Sequence, residues 1–478
     1  MIQNYESFAT WGAIIYFLIL SVLLLVGNVI RRKIPLFKKS LLPTSVIAGL
    51  LGLVIKETIF RPLATNGAMP SDFVMNFNNF LNLVTYHTLA LGFIAMGLKV
   101  NEKIEIKTNR AHSYYNGMVI VSTYLLQGII GIGITLFLAY TFMPAFKSGP
   151  GLATGILLPF GFGQGPGQAN NFGIIYETFD PNGFVGAQSY GLAMASMGFI
   201  WAAIGGVFYL NKVQKRKVTG EDFEANLTSI QEISSPDEIP VSESIDKLTV
   251  QIALIVAVYG VTLLTMFGLS KLVSLNETTY NMLNSLIWGF NFIFGMVIAL
   301  LSKKLFVYLR KTGLMTRQYP NNFMLNRIAG VVFDLMVVAS ITAINLEDLS
   351  QNNIWIAFLL ISTVGGGVTM FYLHQLTKRV YKEYPLEGFS GMYGMLTGTA
   401  STGIALLREV DPYYKTPAAT DLVTGTTTAI LFGLPILLIA SYAPQGIVQS
   451  IISLVILTIL FIAFAGFLFK KHALNKKV

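Results

Sequence analysis

The chain has 478 residues, of which 53% are hydrophobic and only 12% charged, with a mean hydropathy of +0.62; a soluble protein would carry about twice that share of charge. It contains no cysteine, which excludes disulfides, thiolate metal sites and cysteine nucleophiles, and its four histidines (His87, His112, His374, His472) are too scattered for a zinc site. The net charge of +9 fits cytoplasmic loops lying against anionic lipid better than a nucleic-acid surface.

The N-terminal stretch MIQNYESFATW lacks a basic n-region and reads as a start, not a cleaved signal peptide. Apolar runs of membrane-spanning length follow near 11–30, 43–60, 79–98, 114–142, 183–210, 248–270, 283–302, 326–346, 354–376, 418–443 and 446–469. Two further glycine-rich apolar pieces, 150–176 and 387–408, fit re-entrant hairpins that leave on the side they entered. Under that assignment 29 of the 33 Lys and Arg fall on one side, leaving Lys56, Arg61, Lys147 and Lys271 on the other. The positive-inside rule then puts the N-terminus outside and the C-terminus in the cytoplasm of a bacterial inner membrane. Residues 211–247 hold 8 of the 24 acidic residues and have no apolar period; they read as a solvated, flexible cytoplasmic linker. It separates an N-terminal half (1–210) from a C-terminal half (248–443), with an extra helix and basic tail at 444–478.

The stretch FGQGPGQ (162–168) looks like a phosphate loop, yet it lies between apolar runs. A shift of 231 residues relates it to a second copy. Gly163 falls on Gly394, Gly167 on Gly398, Ala169 on Ala400, Asp180 on Asp411 and Pro181 on Pro412. A shift of 247 pairs 78–98 with 326–346 and His87 with Asp334. The expected fold is therefore an all-α polytopic membrane protein with two inverted repeats of about five transmembrane helices, each carrying one re-entrant hairpin. Such repeats with interrupted helices are a secondary-transporter architecture. Irregular backbone survives at membrane depth only where it lines a buried or wet cavity. Glycines let backbone amides approach a ligand, and a half-helix N-terminus attracts a carboxylate. The first hairpin offers Gly163, Gln164, Gly165, Gly167, Gln168, Asn170 and Asn171 for substrate. The second offers Gly394, Thr397 and Gly398, with Thr399, Ser401 and Thr402 as oxygen donors suited to Na⁺. Asp334, a carboxylate inside a membrane segment, is a further ion or proton candidate, or else a structural partner of His87 or Arg327.

In order and spacing the chain resembles the sodium/glutamate symporter family. GQGPGQA (163–169) is similar to that family's GGHGTGAA, AMASMGFIWAAIGG (193–206) to its following helix, and YGMLTGTASTGIA (393–405) to its second glycine-rich hairpin. LLPTSVIAGLLGL (41–53) is similar to its IPEPVAGGLL. The resemblance covers roughly residues 11–443. It implies a homodimer, an elevator mechanism, and uptake of glutamate or a related small acid, with sodium as coupling ion and no other cofactor. Two departures stand out. The family's histidine is Gln164 here and its following hydroxyl residue is Pro166, and the 446–469 helix is additional.

Other readings stay open at this point. FGQGPGQ also suits a small-residue packing site between helices. Arg408 either meets a substrate carboxylate or snorkels to the surface. Asp180 and Asp411 read as turn residues, and Thr426, Thr427 and Thr428 as ion-path or self-bonded hydroxyls. A channel with a two-hairpin filter is the rival function. The histidines and acids are too dispersed for an enzyme's nucleophile and base.

Overall fold

The computed structural model describes residues 8–39, 41–99, 110–179, 182–214, 241–275, 284, 287–315, 320–412 and 415–470. Every regular element among them is helical. The first half contains α1 (Phe8–Lys33), α2 (Pro35–Lys39), α3 (Thr44–Ile55), α4 (Arg61–Thr65), α5 (Phe73–Leu98), α6 (Arg110–Thr141), α7 (Gly149–Ala153), α8 (Leu157–Pro159), α9 (Pro166–Glu177), α10 (Ala187–Ile200) and α11 (Gly206–Gln214). The second contains α12 (Val241–Val273), α13 (Asn291–Lys311), α14 (Asn322–Ala343), α15 (Leu346–Ser350), α16 (Ile354–Val380), α17 (Pro385–Thr397), α18 (Ala400–Arg408), α19 (Ala418–Tyr442) and α20 (Ile447–Lys470).

Nine helical runs among the described residues are long and apolar enough to cross a membrane. They fall on nine of the eleven expected segments, so the architecture is that of a multi-pass membrane protein. The other two expected segments are realised differently. The 43–60 run is α3 followed by a π-helical turn, Lys56–Phe60, and then α4. The 418–443 run is the single helix α19, with Pro435 inside it. Of the expected linker, 215–240 lie outside the described residues, and α12 already begins at Val241. Asp180 and Pro181 lie outside them as well.

The helices pack as two groups. In one, α5 runs against α13 and α14, α3 against α1 and α14, and α12 against α13. In the other, α6 is surrounded by α16, α19 and α20, and both glycine-rich pieces pack with it, α10 and α16. The groups meet chiefly where α9 and α10 lie against α5 and α14. Along α1, α12, α13 and α20, large apolar side chains such as Leu25, Leu264, Leu301 and Ile459 are exposed, as suits helices facing lipid.

A buried charge ties the two halves of the chain within the first group. Lys56 is fully buried, and a buried ammonium is tolerable only when its donors are used. Its Nζ donates to the Ile344 carbonyl at 2.7 Å and to Asn78 Oδ1 at 3.1 Å, and lies 3.5 Å from Glu57. Arg61, one turn on, reaches Glu57 at 2.6 Å, Asn345 at 3.0 Å and Glu347 at 2.9 Å. Two of the four cations expected outside are thus held by the protein itself.

Candidate functional site

Each glycine-rich piece folds as two antiparallel arms. The first arm starts where Ser148 caps α7 by accepting from Gly151 N at 3.0 Å. It continues through a 3₁₀ turn, α8 and a π-helical turn, Phe160–Gln164. Pro159 and the alternate glycines 161, 163 and 165 keep it from settling into a regular helix. The chain reverses at Gly165, whose φ of +89° and ψ of 175° suit glycine alone. Pro166 at the first helical position opens α9, the second arm.

The second piece is more regular. Its arms, α17 and α18, turn at Gly398, with Thr399 as the N-cap of α18. Gly394 sits where the arms touch: a Cβ there would lie 2.8 Å from Gly403 Cα. The Thr402 hydroxyl accepts from Thr399 N at 2.8 Å and lies 2.7 Å from the Gly394 carbonyl, to which it can donate. Thr397 donates back to Tyr393 O at 2.7 Å. Those two hydroxyls therefore fix the turn.

The two vertices face each other. A Cβ built on Gly165 would lie 3.5 Å from Thr399 Cγ2. Gly198 of α10 is wedged beside both, because a Cβ there would collide with the Thr397 carbonyl and lie 3.1 Å from Phe162 Cα. From the other side α6 reaches both turns with residues one helical turn apart. Tyr124 Oη donates to the Gly163 carbonyl at 3.0 Å, and Gln127 Nε2 donates to the Leu396 carbonyl at 3.0 Å and to Thr369 Oγ1 at 3.0 Å. The Tyr124 ring also fills the space a Cβ on Gly163 would need.

This geometry brings two helix N-termini, those of α9 and α18, to one point. The first-turn N–H groups of each have no intrahelical acceptor, so the junction carries positive partial charge from both sides. Thr399 and Gln164 are half-buried there and Ser401 is exposed. Neither Gln164 nor Ser401 has a side-chain hydrogen-bond partner among the described residues, whereas the Thr399 hydroxyl accepts from Thr402 N in a reciprocal capping box. The arrangement can accept an anionic group, with hydroxyls and an amide at hand for a second polar group.

The remaining expected residues are dispersed along α9 and beyond. Gly167 packs on Leu89 and on Met336. Gln168, Asn170 and Asn171 are buried. Asn170 Oδ1 accepts from Gln188 Nε2 at 2.8 Å, and Asn171 Nδ2 donates to the Gly289 carbonyl at 2.9 Å. Asp334 is not at the junction but beside Ser45 and Arg31. His87 pairs with Tyr259 at 2.7 Å instead, and Arg327 lies over the Phe323 ring. Thr426 bonds its own helix at Leu422 O, whereas Thr428 reaches Ser113 O on α6.

Several residues were not anticipated. Tyr124, Gln127 and Thr369 are polar groups inside apolar helices, and that alone was a usable signal. Asp421, buried in the first turn of α19, accepts from Asn116 Nδ2 at 2.9 Å and Tyr384 Oη at 2.7 Å, which anchors the base of the second hairpin to α6. The outer ends of the two second arms carry carboxylates of opposite behaviour. Burial raises the Glu177 carboxyl above its ordinary range although Gln188 N donates to it at 3.0 Å, and nearby Asp348 adds to the rise. Burial opposes the Asp411 charge too, but the Thr416 hydroxyl at 2.7 Å and the Thr416 and Lys415 amides at 2.8 Å outweigh it and hold that carboxyl low. No protein-family model matches the chain, and no curated protein matches it.

Proposed function

We propose that the protein is a secondary active transporter that couples a sodium gradient to uptake of a small acidic solute, glutamate or a related acid. The observation that carries this reading is the convergence of two half-helix N-termini, at Gly165 and Thr399, within a membrane protein. A carboxylate is the ligand such a junction suits. In this reading Gln164 meets a second polar group of the solute, and the Ser401 hydroxyl, with a remaining lone pair of the Thr399 hydroxyl, supplies oxygen to a sodium ion. The same order of elements in both halves supports inverted repeats: three helices, one long helix, a hairpin, one helix. The separation into a hairpin-bearing group and a second group, joined through α9 and α10, supports an elevator movement of the first against the second. A homodimer held through the second group completes the proposal.

The deciding experiment is uptake into proteoliposomes of a panel of amino and dicarboxylic acids, with and without an inward sodium gradient. Concentrative uptake of an acid only with sodium is expected. Flux that equilibrates without concentrating and ignores sodium would replace the symporter with a channel.

A further inference from the structure

The chain passes from the second group to the hairpin-bearing group through residues 344–353, between the end of α14 and the start of α16. This segment holds α15 and a 3₁₀ turn, Gln351–Asn353, and both groups grip it. From the second group, the fully buried Lys56 Nζ donates to the Ile344 carbonyl at 2.7 Å. Arg61 reaches Asn345 Oδ1 at 3.0 Å and Glu347 at 2.9 Å. From the hairpin-bearing group, one side chain makes both polar contacts. The Ser189 hydroxyl, in the first turn of α10, accepts from Asn345 N at 3.1 Å and donates to Asp348 Oδ2 at 3.1 Å. The start of α10 is also pressed on the segment. A Cβ built on Gly186, whose φ is +88°, would lie 3.2 Å from the Asp348 carbonyl oxygen and 3.4 Å from Ile354 Cδ1.

The two grips differ in what parting them exposes. Drawing Ile344 away from Lys56 would strand a fully buried ammonium, one of the costliest changes a protein can make. Asn345 and Asp348 are only half-buried, so water can replace the Ser189 hydroxyl on both as they separate. At its far end the segment enters α16 through Asn353. Its φ of 56° is the only positive one at a non-glycine residue among the described residues, and asparagine is among the few residues that tolerate this left-handed conformation. One such residue therefore separates the turns of the segment from the long helix that follows.

We propose that residues 344–353 form a strap that rides with the second group, and that the Ser189 hydroxyl is its clasp on the hairpin-bearing group, the contact that opens when the two groups part. Ser189 is in this sense a residue that controls movement and touches no solute. The inference rests on the proposed movement of one group against the other, and adds where the contact between them gives way.

The test uses the full chain in lipid nanodiscs, with neither solute nor sodium. Because the chain has no cysteine, spin labels on introduced ones report distances without background. Val54 on α3, Leu346 on the strap and Phe137 on α6 are exposed. The pair Leu346→Cys with Val54→Cys measures the strap against the second group, and Leu346→Cys with Phe137→Cys measures it against the hairpin-bearing group. Ser189→Ala should leave the first distance single and unchanged. In the second pair it should raise the ratio of displaced to docked molecules at least about fivefold, the factor that corresponds to one hydrogen bond. Ser189→Thr, which keeps the hydroxyl, should restore the wild-type distribution. If Ser189→Ala fails to fold, Asp348→Asn is measured in its place, with a smaller shift in the same direction expected. Distributions that Ser189→Ala leaves unchanged would overturn the clasp, and a shift confined to the first pair would overturn the assignment of the strap to the second group. Absence of uptake in proteoliposomes would leave either distance result standing, so the clasp and the transport reading can fail separately.

Discussion

Gln127, at the middle of α6, donates to the carbonyl of Leu396, 269 residues away, at 3.0 Å. That bond ties the second hairpin to the same helix that holds the first through Tyr124. Since Gln127 is fully buried, Gln127→Leu leaves a buried carbonyl without its donor. We expect a loss of about 1–3 kcal/mol in stability, measured by thermal unfolding, together with weaker solute binding. Tyr124→Phe should behave alike at the first hairpin, and retention of both stability and affinity in the two variants would remove α6 from the site.

The vertex glycines should fail for different reasons. Gly165→Ala is strained by its φ of +89° although its nearest neighbour, Thr399, would lie at 3.5 Å, and about 1–3 kcal/mol is the usual cost of such backbone. Gly163→Ala instead collides with the Tyr124 ring. Replacing Tyr124 by a small residue should therefore improve Gly163→Ala relative to its single-variant sum and leave Gly165→Ala unimproved. A double-mutant cycle on melting temperatures decides between them.

Gln164 stands at the junction with no side-chain hydrogen-bond partner among the described residues. Gln164→Ala should weaken solute binding by about 1–3 kcal/mol, read from the concentration giving half-maximal uptake. Gln164→His should introduce a pH dependence between about 5 and 8. Ser401→Ala and Thr399→Val should raise the sodium concentration needed for uptake. Unaltered solute ranking in both Gln164 variants would take this residue out of the site.

Glu177 and Asp411 should give opposite pH responses. The Glu177 carboxyl is raised, so the folded state binds its proton more readily than the unfolded chain does. Its charged form therefore destabilises above the raised value, and that penalty is relieved as pH falls through it. Glu177→Gln should raise the melting temperature at neutral pH, with the gap to wild type closing as the pH falls through the raised value and gone below the unfolded value near 4. The Asp411 carboxyl is depressed, so its contribution is present above the unfolded value near 4 and is lost as pH falls through the lower folded one. Asp411→Asn should lower the melting temperature at neutral pH and match wild type in strong acid. Parallel curves in either comparison would contradict the assigned direction.

Lys56→Met removes the donor to Ile344 O and Asn78 Oδ1. With the buried Ile344 carbonyl left without its donor, a loss of about 1–3 kcal/mol is expected. Lys56→Arg should retain part of it. Wild-type stability in Lys56→Met would mean that the ammonium contributes nothing to joining α3 with the end of α14.

What the sequence determined by itself was local. The length of each apolar run specified the crossing helices, because hydrogen-bonded backbone must stay covered through the whole hydrocarbon depth. Glycine and proline spacing marked both reversals, since those residues act on the backbone where they stand. The 43–60 run illustrates the limit of such reading: hydropathy alone could not foresee that Lys56 would open a π-helical turn. Tertiary structure alone decided which residues share a site. Nothing near Gln127 in the chain signals Leu396, and nothing near Asn171 signals Gly289. Asp334, equally legible as an intramembrane carboxylate, was delivered to Ser45 and Arg31 rather than to the hydroxyls of the second hairpin. A buried amide or ammonium takes whichever carbonyl packing brings within about 3 Å, and that choice depends on helix crossings hundreds of residues apart, which periodicity and composition do not encode.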